Sequence, residues 1–228
     1  MKTLLLCLFL TLPLSAQEGS SAVGFYSNGS LKNGVDLPHE GTGFMRLYLG
    51  EDRGWGTDEM IQMITASARE MDSLYPGFGR LQVEDIGQFG GGEIDGHASH
   101  QNGLDVDLTF YRKDGLEHDP VATGETYSPS MVIGGRISSN FDAERNWQFF
   151  KLLHRHGNVQ RIFVDQVIKN EICREASRVG EKKSYVEVLR SLRHQTNHAD
   201  HMHVRLRCPV KDKSCKSQAE VAAGSGCP

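Results

Sequence analysis

The chain has 228 residues, 38% of them hydrophobic and 24% charged, with a formal net charge of -4. That length suits one domain with a full core, and the balanced composition excludes a disordered or fibrous chain. The mild acidity argues against a surface built for the phosphates of nucleic acid.

In chain order, Lys2 precedes an apolar run from Leu4 to Leu14 and then Ser15-Ala16, before a polar stretch that begins at Gln17. This is the pattern of an export signal, since the run is shorter than the about 20 apolar residues a spanning helix needs. Residues 1–16 are expected to be removed, leaving residues 17–228 as one soluble domain in the periplasm or secreted. Residues 17–55 carry many glycines and little periodicity, and read as irregular wrapping with one strand at Phe44 to Leu49. Thr57 caps a predicted helix with Asp58 and Glu59 in its first turn and Ile61, Ile64, Ala68 and Met71 on one face, ending by Pro76-Gly77. Leu81 to Ile86 reads as a strand, and Gly87 to Gly103 as a glycine-rich loop that leads into a strand at Leu104. Residues 111–140 offer only the turns Asp114-Gly115 and Thr123-Gly124. Phe141 to His156 then reads as a helix with Trp147, Phe150 and Leu153 inward, Arg161 to Val164 as a buried strand, and Gln166 to Ala176 as a helix. A short helix at Tyr185 to Leu192 and a strand at His201 to Arg207 complete the pattern. Strands and helices without regular alternation predict an α+β domain, one central antiparallel sheet flanked by helices.

The chemistry concentrates in two segments. In the first, His100 and Asp107 are separated by six residues, and in the second His201, Met202 and His203 form a His-x-His. Side chains alternate faces along a strand, so Leu104, Val106, Leu108 and Phe110 point to the core while Asp105, Asp107 and Thr109 point away. His201, His203, Arg205 and Arg207 do the same opposite Met202, Val204 and Leu206. If the two strands are neighbours, His100, Asp107 and His203 meet at one point, a three-ligand set with room for water that suits a catalytic zinc. A charged Asp107 inside an apolar strand is costly unless paired or bound to a metal. Asp105 reads either as a group orienting a ligating histidine or as a surface carboxylate. His39, His118, His154, His156 and His194 lack a motif and read as surface residues, and no Gly-x-Ser-x-Gly turn supplies a serine nucleophile. After loss of Cys7 with the signal, Cys173, Cys208, Cys215 and Cys227 remain, an even set that predicts two disulfides with three possible pairings.

The segments His97-Ala98-Ser99-His100-Gln101-Asn102-Gly103-Leu104-Asp105-Val106-Asp107 and His201-Met202-His203-Val204-Arg205-Leu206-Arg207-Cys208-Pro209 closely resemble the signatures of the penicillin-insensitive murein endopeptidases. Gly24-Phe25-Tyr26-Ser27-Asn28-Gly29, Arg161-Ile162-Phe163-Val164 and Ile168-Lys169 are similar to that family in the same order, so nearly the whole mature chain is covered. The resemblance implies one zinc ion held by His100, Asp107 and His203, with His97 as a further ligand or a group beside the water. It implies His201 and His198 as the catalytic groups that move protons, and disulfides Cys208 to Cys215 and Cys173 to Cys227. A counterpart of the Asp and His that bind a second metal in some members is missing, because residues 125–142 hold Asp142 but no histidine. The implied activity is hydrolysis, by a metal-activated water, of the D-alanyl to meso-diaminopimelyl cross-links of peptidoglycan. The rivals are a D-Ala-D-Ala carboxypeptidase or dipeptidase on the same fold, marked by a closed pocket with an arginine, and a non-catalytic zinc-dependent cell-wall binding module. Intact His198 and His201 argue against the last, since a binder needs no proton shuttle.

Overall fold

The computed structural model describes residues 19–124 and 127–228. The expected signal at residues 1–16, with Cys7, lies outside the described residues. From the N-terminus the elements are β1 (Ser21–Phe25), β2 (Asn28–Lys32), β3 (Val35–Asp36), β4 (Glu40–Gly41), β5 (Phe44–Arg46), β6 (Trp55–Gly56), α1 (Asp58–Leu74) and β7 (Leu81–Val83). After the long loop come β8 (Asp105–Thr109), α2 (Pro120–Thr123), β9 (Val132–Ile133), β10 (Arg136–Ile137), α3 (Ala143–His156) and β11 (Val159–Val164). The chain ends with α4 (Gln166–Arg178), α5 (Val186–Ser191), β12 (Leu192–His194) and β13 (His201–Leu206).

Among the described residues the largest sheet has seven strands in the order β12-β11-β13-β8-β7-β5-β4. Its centre is antiparallel, as expected: β11 with β13, β13 with β8 and β8 with β7. Toward the edges β12 joins β11, and β5 joins β7, in parallel. One face is the core. Val106, Leu108, Met202 and Val204 share it with Met60, Met63, Ile64, Ala68 and Met71 of α1 and with Trp147, Phe149, Phe150, Leu152 and Leu153 of α3, all buried. Truncating a fully buried ring such as Phe150 to alanine would cost about 3 to 5 kcal/mol.

The helices begin where their caps dictate. Thr57 accepts a hydrogen bond from the Met60 N–H, and Asp142 from the Arg145 N–H, each satisfying a backbone donor that the first turn leaves open. His154, Arg155 and His156 sit in the last turn of α3, at the negative end of its dipole. Both disulfides have the pairing the resemblance implies, Cys208 with Cys215 just after β13 and Cys173 of α4 with Cys227 in the tail.

Four expectations change. Residues 17–55 are not irregular wrapping around one strand, because β1 and β2 form a hairpin and β3 pairs with β6. The hairpin escapes a pattern search since glycine interrupts its alternation: Gly24 stands at φ 75°, and a Cβ there would lie 2.5 Å from the Asn28 carbonyl oxygen. The strand at Phe44 stops at Arg46, before a turn in which Tyr48 has φ 51°. His118 is not a surface residue: it is buried, its backbone N–H donating to Gln82 Oε1 at 2.7 Å and its carbonyl accepting from Gln82 Nε2 at 2.7 Å. His154 is also half-covered, with Nε2 2.8 Å from Ser191 Oγ. Among the described residues no helix is long and apolar enough to cross a membrane.

Candidate metal centre and active site

The face of the sheet opposite the core carries the polar row the alternation predicts, but loops cover it, so Asp105, Asp107, His100 and His203 are all buried. Antiparallel register places His203 directly across from Asp107, and Phe163 across from His203. Beyond β7 the chain stays beside β8: the Glu84 N–H donates to the Asp107 carbonyl, and the Asp107 N–H to the Asp85 carbonyl, each at 2.9 Å. One line across four strands thus reads Phe163, His203, Asp107, then Glu84 and Asp85. His100 enters from the loop in a left-handed conformation, φ 69°, which is costly for a residue with a side chain. Its backbone N–H donates to Asp105 Oδ2 at 3.1 Å.

The ring nitrogens can be assigned from their partners, because a carbonyl only accepts. Nδ1 of His100 lies 3.0 Å from the Ile86 carbonyl and Nδ1 of His97 lies 3.3 Å from the Asp95 carbonyl, so each Nδ1 carries the proton and each Nε2 presents a lone pair. Those two Nε2 atoms stand 3.3 and 3.4 Å from Asp107 Oδ2. On the other side His203 Nδ1 is 3.2 Å from Asp107 Oδ1, while its Nε2 faces Asp105 Oδ1, also at 3.2 Å. Ligand atoms of His97, His100 and Asp107 all fall within 4.8 Å of one another. Yet His100 Nε2, Asp107 Oδ1 and His203 Nε2 are buried without a hydrogen-bond partner. Lone pairs that converge without donors between them repel unless a cation or added protons intervene. His97, His100 and Asp107 therefore fit a metal ion, with two imidazoles and a carboxylate as donors, and His203 Nδ1 lies beside the same carboxylate.

Burial alone would raise the pKa of Asp107, but the imidazoles of His100 and His203 overturn this and hold it well below the usual carboxylate range. Burial likewise opposes charge on His203, and Asp105 and Asp107 outweigh it, lifting the ring to about 9. A metal ion would have to displace such protons, so its uptake is coupled to their release.

His201 and His198 flank the cluster. Asp200 Oδ1 accepts from both the backbone N–H and Nδ1 of His201, at 3.0 and 2.8 Å, leaving Nε2 bare and 3.9 Å from Asp107 Oδ1. Burial would depress His201, but Asp200, Asp107 and Glu84 raise it to about 9. His198 has Nδ1 2.7 Å from the Thr196 carbonyl and its ring centre 4.9 Å from that of His201; burial lowers its pKa. Asp200 thus holds His201, not His198.

The sequence profile of the family described as penicillin-insensitive murein endopeptidase matches residues 22–228. The chain belongs to that family. It is 32% identical over 222 residues to the penicillin-insensitive murein endopeptidase of Haemophilus influenzae, covering 94% of this chain and 73% of that protein. Proteins of the same name from Klebsiella pneumoniae and Escherichia coli are 31% and 29% identical, over 94% of this chain in each case and 77% and 75% of their own length.

In this member of the family the cluster lies in a cleft of about 1040 Å³, whose outer walls include Tyr48, Glu51, Arg53, Glu84, Tyr127 and Ser128. Sequence reasoning missed all of these, for they sit on loops with no periodicity. Ser128 Oγ donates to Glu84 Oε1 at 2.6 Å, fastening one wall to the end of β7. Arg53 Nη1 bridges Glu51 Oε2 at 2.9 Å and Asp85 Oδ2 at 3.1 Å, and Asp85 Oδ2 lies 3.2 Å from His97 Nε2. Asp85 lies within the predicted strand Leu81 to Ile86, but alternation puts it on the face of Leu81 and Val83, so the pattern did not mark it either; the observed strand ends at Val83.

Proposed function

We propose that this chain is an exported zinc-dependent endopeptidase that hydrolyses D-alanyl to meso-diaminopimelyl cross-links in peptidoglycan, working in the periplasm. The family supports the substrate, since its relatives bear the name murein endopeptidase. The two disulfides support an oxidising compartment. The observation that carries the chemistry is the convergence of bare ring nitrogens on Asp107 beside a histidine fixed by its own carboxylate.

In this reading His100, Asp107 and His203 hold one zinc and His97 joins them. When bound, the zinc acts as a Lewis acid toward the scissile carbonyl and lowers the pKa of a water from about 15.7 toward about 7. A cation on Asp107 would offset part of the negative charge that otherwise keeps His201 protonated, so the neutral ring would receive a proton at Nε2, with Asp200 stabilising the imidazolium and keeping Nδ1 protonated. The same Nε2 then returns the proton to the leaving amine. His198, kept neutral by burial and with its Nδ1 proton on the Thr196 carbonyl, lines the cleft beside His201 and presents a bare Nε2 that can accept a proton.

The cleft favours an endopeptidase over the carboxypeptidase rival. Among the described residues its lining arginines are already paired, Arg53 with Glu51 and Asp85 and Arg205 with Asp105, which argues against a guanidinium held ready for a terminal carboxylate. Its volume is at the top of the about 300 to 1,000 Å³ usual for small-ligand pockets. Digestion of purified sacculi, with released muropeptides identified by mass spectrometry, tests the reading. Cross-linked dimers are expected to fall to monomers, blocked by chelators and restored by zinc, and unaffected by β-lactams. Release of D-alanine alone would favour the rival, and chelator-resistant cleavage would refute the metal.

A further inference from the structure

We propose that Asp105 and Arg205 are a positioning pair that sets the backbone of His100 and the ring of His203 from one buried carboxylate, and so tunes the affinity of the centre for a divalent metal. This rests on the reading of the cluster as a metal site and extends it to residues that touch no metal.

Asp105 is wholly buried, and register places Arg205 directly opposite it across β8 and β13. Arg205 grips it with two parallel bonds, Nε to Oδ1 at 2.7 Å and Nη2 to Oδ2 at 2.9 Å. A structural ion pair would be complete with that fork. Here the remaining lone pairs are spent on the loop and the strand that bring His100 and His203 to the cluster: Oδ2 accepts from the His100 N–H at 3.1 Å, and Oδ1 faces His203 Nε2 at 3.2 Å. The first contact retains the left-handed backbone at His100, and so the direction in which its ring leaves the chain. The second puts a carboxylate beside Nε2 of His203, which favours the tautomer with Nδ1 bare toward Asp107.

Arg205 is itself fixed from three sides. Its guanidinium lies 4.1 Å above the Tyr26 ring and 5.3 Å from that of Phe163, and Nη1 donates to Gln218 Oε1 at 2.9 Å. Gln218 follows the Cys208 to Cys215 loop, so the stapled tail contributes the last contact in the chain of support. Planarity matters here: a lysine would supply the charge that keeps Asp105 ionised but not the fork that fixes the carboxylate plane.

The test is zinc affinity of the mature, metal-stripped protein by competition with a chromophoric chelator, together with the visible absorption spectrum of the cobalt-substituted form. Asp105→Asn is expected to weaken zinc about 10- to 100-fold and to alter the cobalt bands, the range seen when a histidine ligand loses its carboxylate partner. Arg205→Lys is expected to give a smaller loss of the same kind. Should Asp105→Asn fail to fold, Asp105→Asn with Arg205→Met leaves no unpaired buried charge and is read the same way. Variants that fold, bind zinc as the wild type does and keep its cobalt spectrum would overturn the pair's role alone. Wild-type protein that binds no zinc would instead overturn the metal reading, and the pair with it.

Discussion

In the seam between β8 and β13 every residue from Asp105 to Thr109 is buried, whereas the segment from Arg112 to Ser138 exposes Leu116 by 65%, Val121 by 92%, Tyr127 by 75% and Ile133 by 66%. Both border the same cleft. The seam is fixed by a continuous ladder of five paired residues, His201 with Thr109 through Arg205 with Asp105. The segment is tied down at separate points, among them Ser128 to Glu84, Asn140 to Asp114 and the Met131 N–H to the Ala199 carbonyl at 2.6 Å. Reactive groups that must hold one geometry ride on the paired strands, and the surface that meets a large substrate rides on loops. If that division is real, substitutions in the seam remove metal or turnover, and substitutions in the wall change only how substrate binds.

The largest effect is expected at Asp107, which contacts all three candidate imidazole ligands. Asp107→Ala should lose zinc, measured by elemental mass spectrometry, and cut hydrolysis of cross-linked dimers on the order of 10,000-fold or more. A variant that keeps its full zinc would sink the assignment. His201→Ala comes next: zinc retained, turnover down about 100- to 10,000-fold, as for a positioned acid or base. Near-normal turnover would show that the His201 to Asp200 pair is only a structural contact, and the seam would then hold less chemistry than the comparison claims.

The seam was also the part most legible in sequence. Period-two alternation around Asp107 and His203 put both on one face, and the cross-strand register then made them neighbours. Helices α1 and α3 were legible because Thr57 precedes an apolar stripe and because Trp147, Phe150 and Leu153 recur at helical spacing. The walls were not, for a physical reason. Arg53, Glu84 and Ser128 reach the cleft through tertiary contacts between residues 32 and 44 positions apart, and no local period encodes such a contact. The partner of Asp200 was not legible either: His198 and His201 lie at comparable distances along the chain, and only the backbone turn decides which ring meets the carboxylate.

A pH series sharpens the comparison with a histidine from neither region. In the seam, carboxylates lift His201 and His203 to about 9, so falling pH charges them without harm to the metal-free fold. His154 on α3 has no carboxylate partner; burial first, and then Arg207, depress it to about 4. Its unfolded value is about 6.5, so between those limits the unfolded chain binds more protons than the folded one. The contribution is fully present above about pH 6.5 and is lost as pH falls toward 4. Because the ring is only partly covered, about 1 to 2 kcal/mol is expected. Urea unfolding at pH 4.5 and 7 should show that loss in the wild type and less of it in His154→Gln, whose amide can still meet Ser191. Equal losses in both proteins would rule His154 out as the cause.

The smallest effect tests the other side of the division. Tyr127 is in the cleft wall and three-quarters exposed. An aromatic ring in that place offers apolar area to a bound chain without a role in bond breaking, a contribution of about 0.5 to 1.5 kcal/mol. Tyr127→Ala should therefore raise KM about 2- to 10-fold for cross-linked dimers and leave kcat and zinc content unchanged, the signature of an interaction made equally in ground and transition states. A fall in kcat with KM unaltered would break the comparison, because the wall would then be acting on the reaction itself. That result would move attention to the Ser128 to Glu84 bond beside it, through which a displaced wall would reach the strand that runs along Asp107.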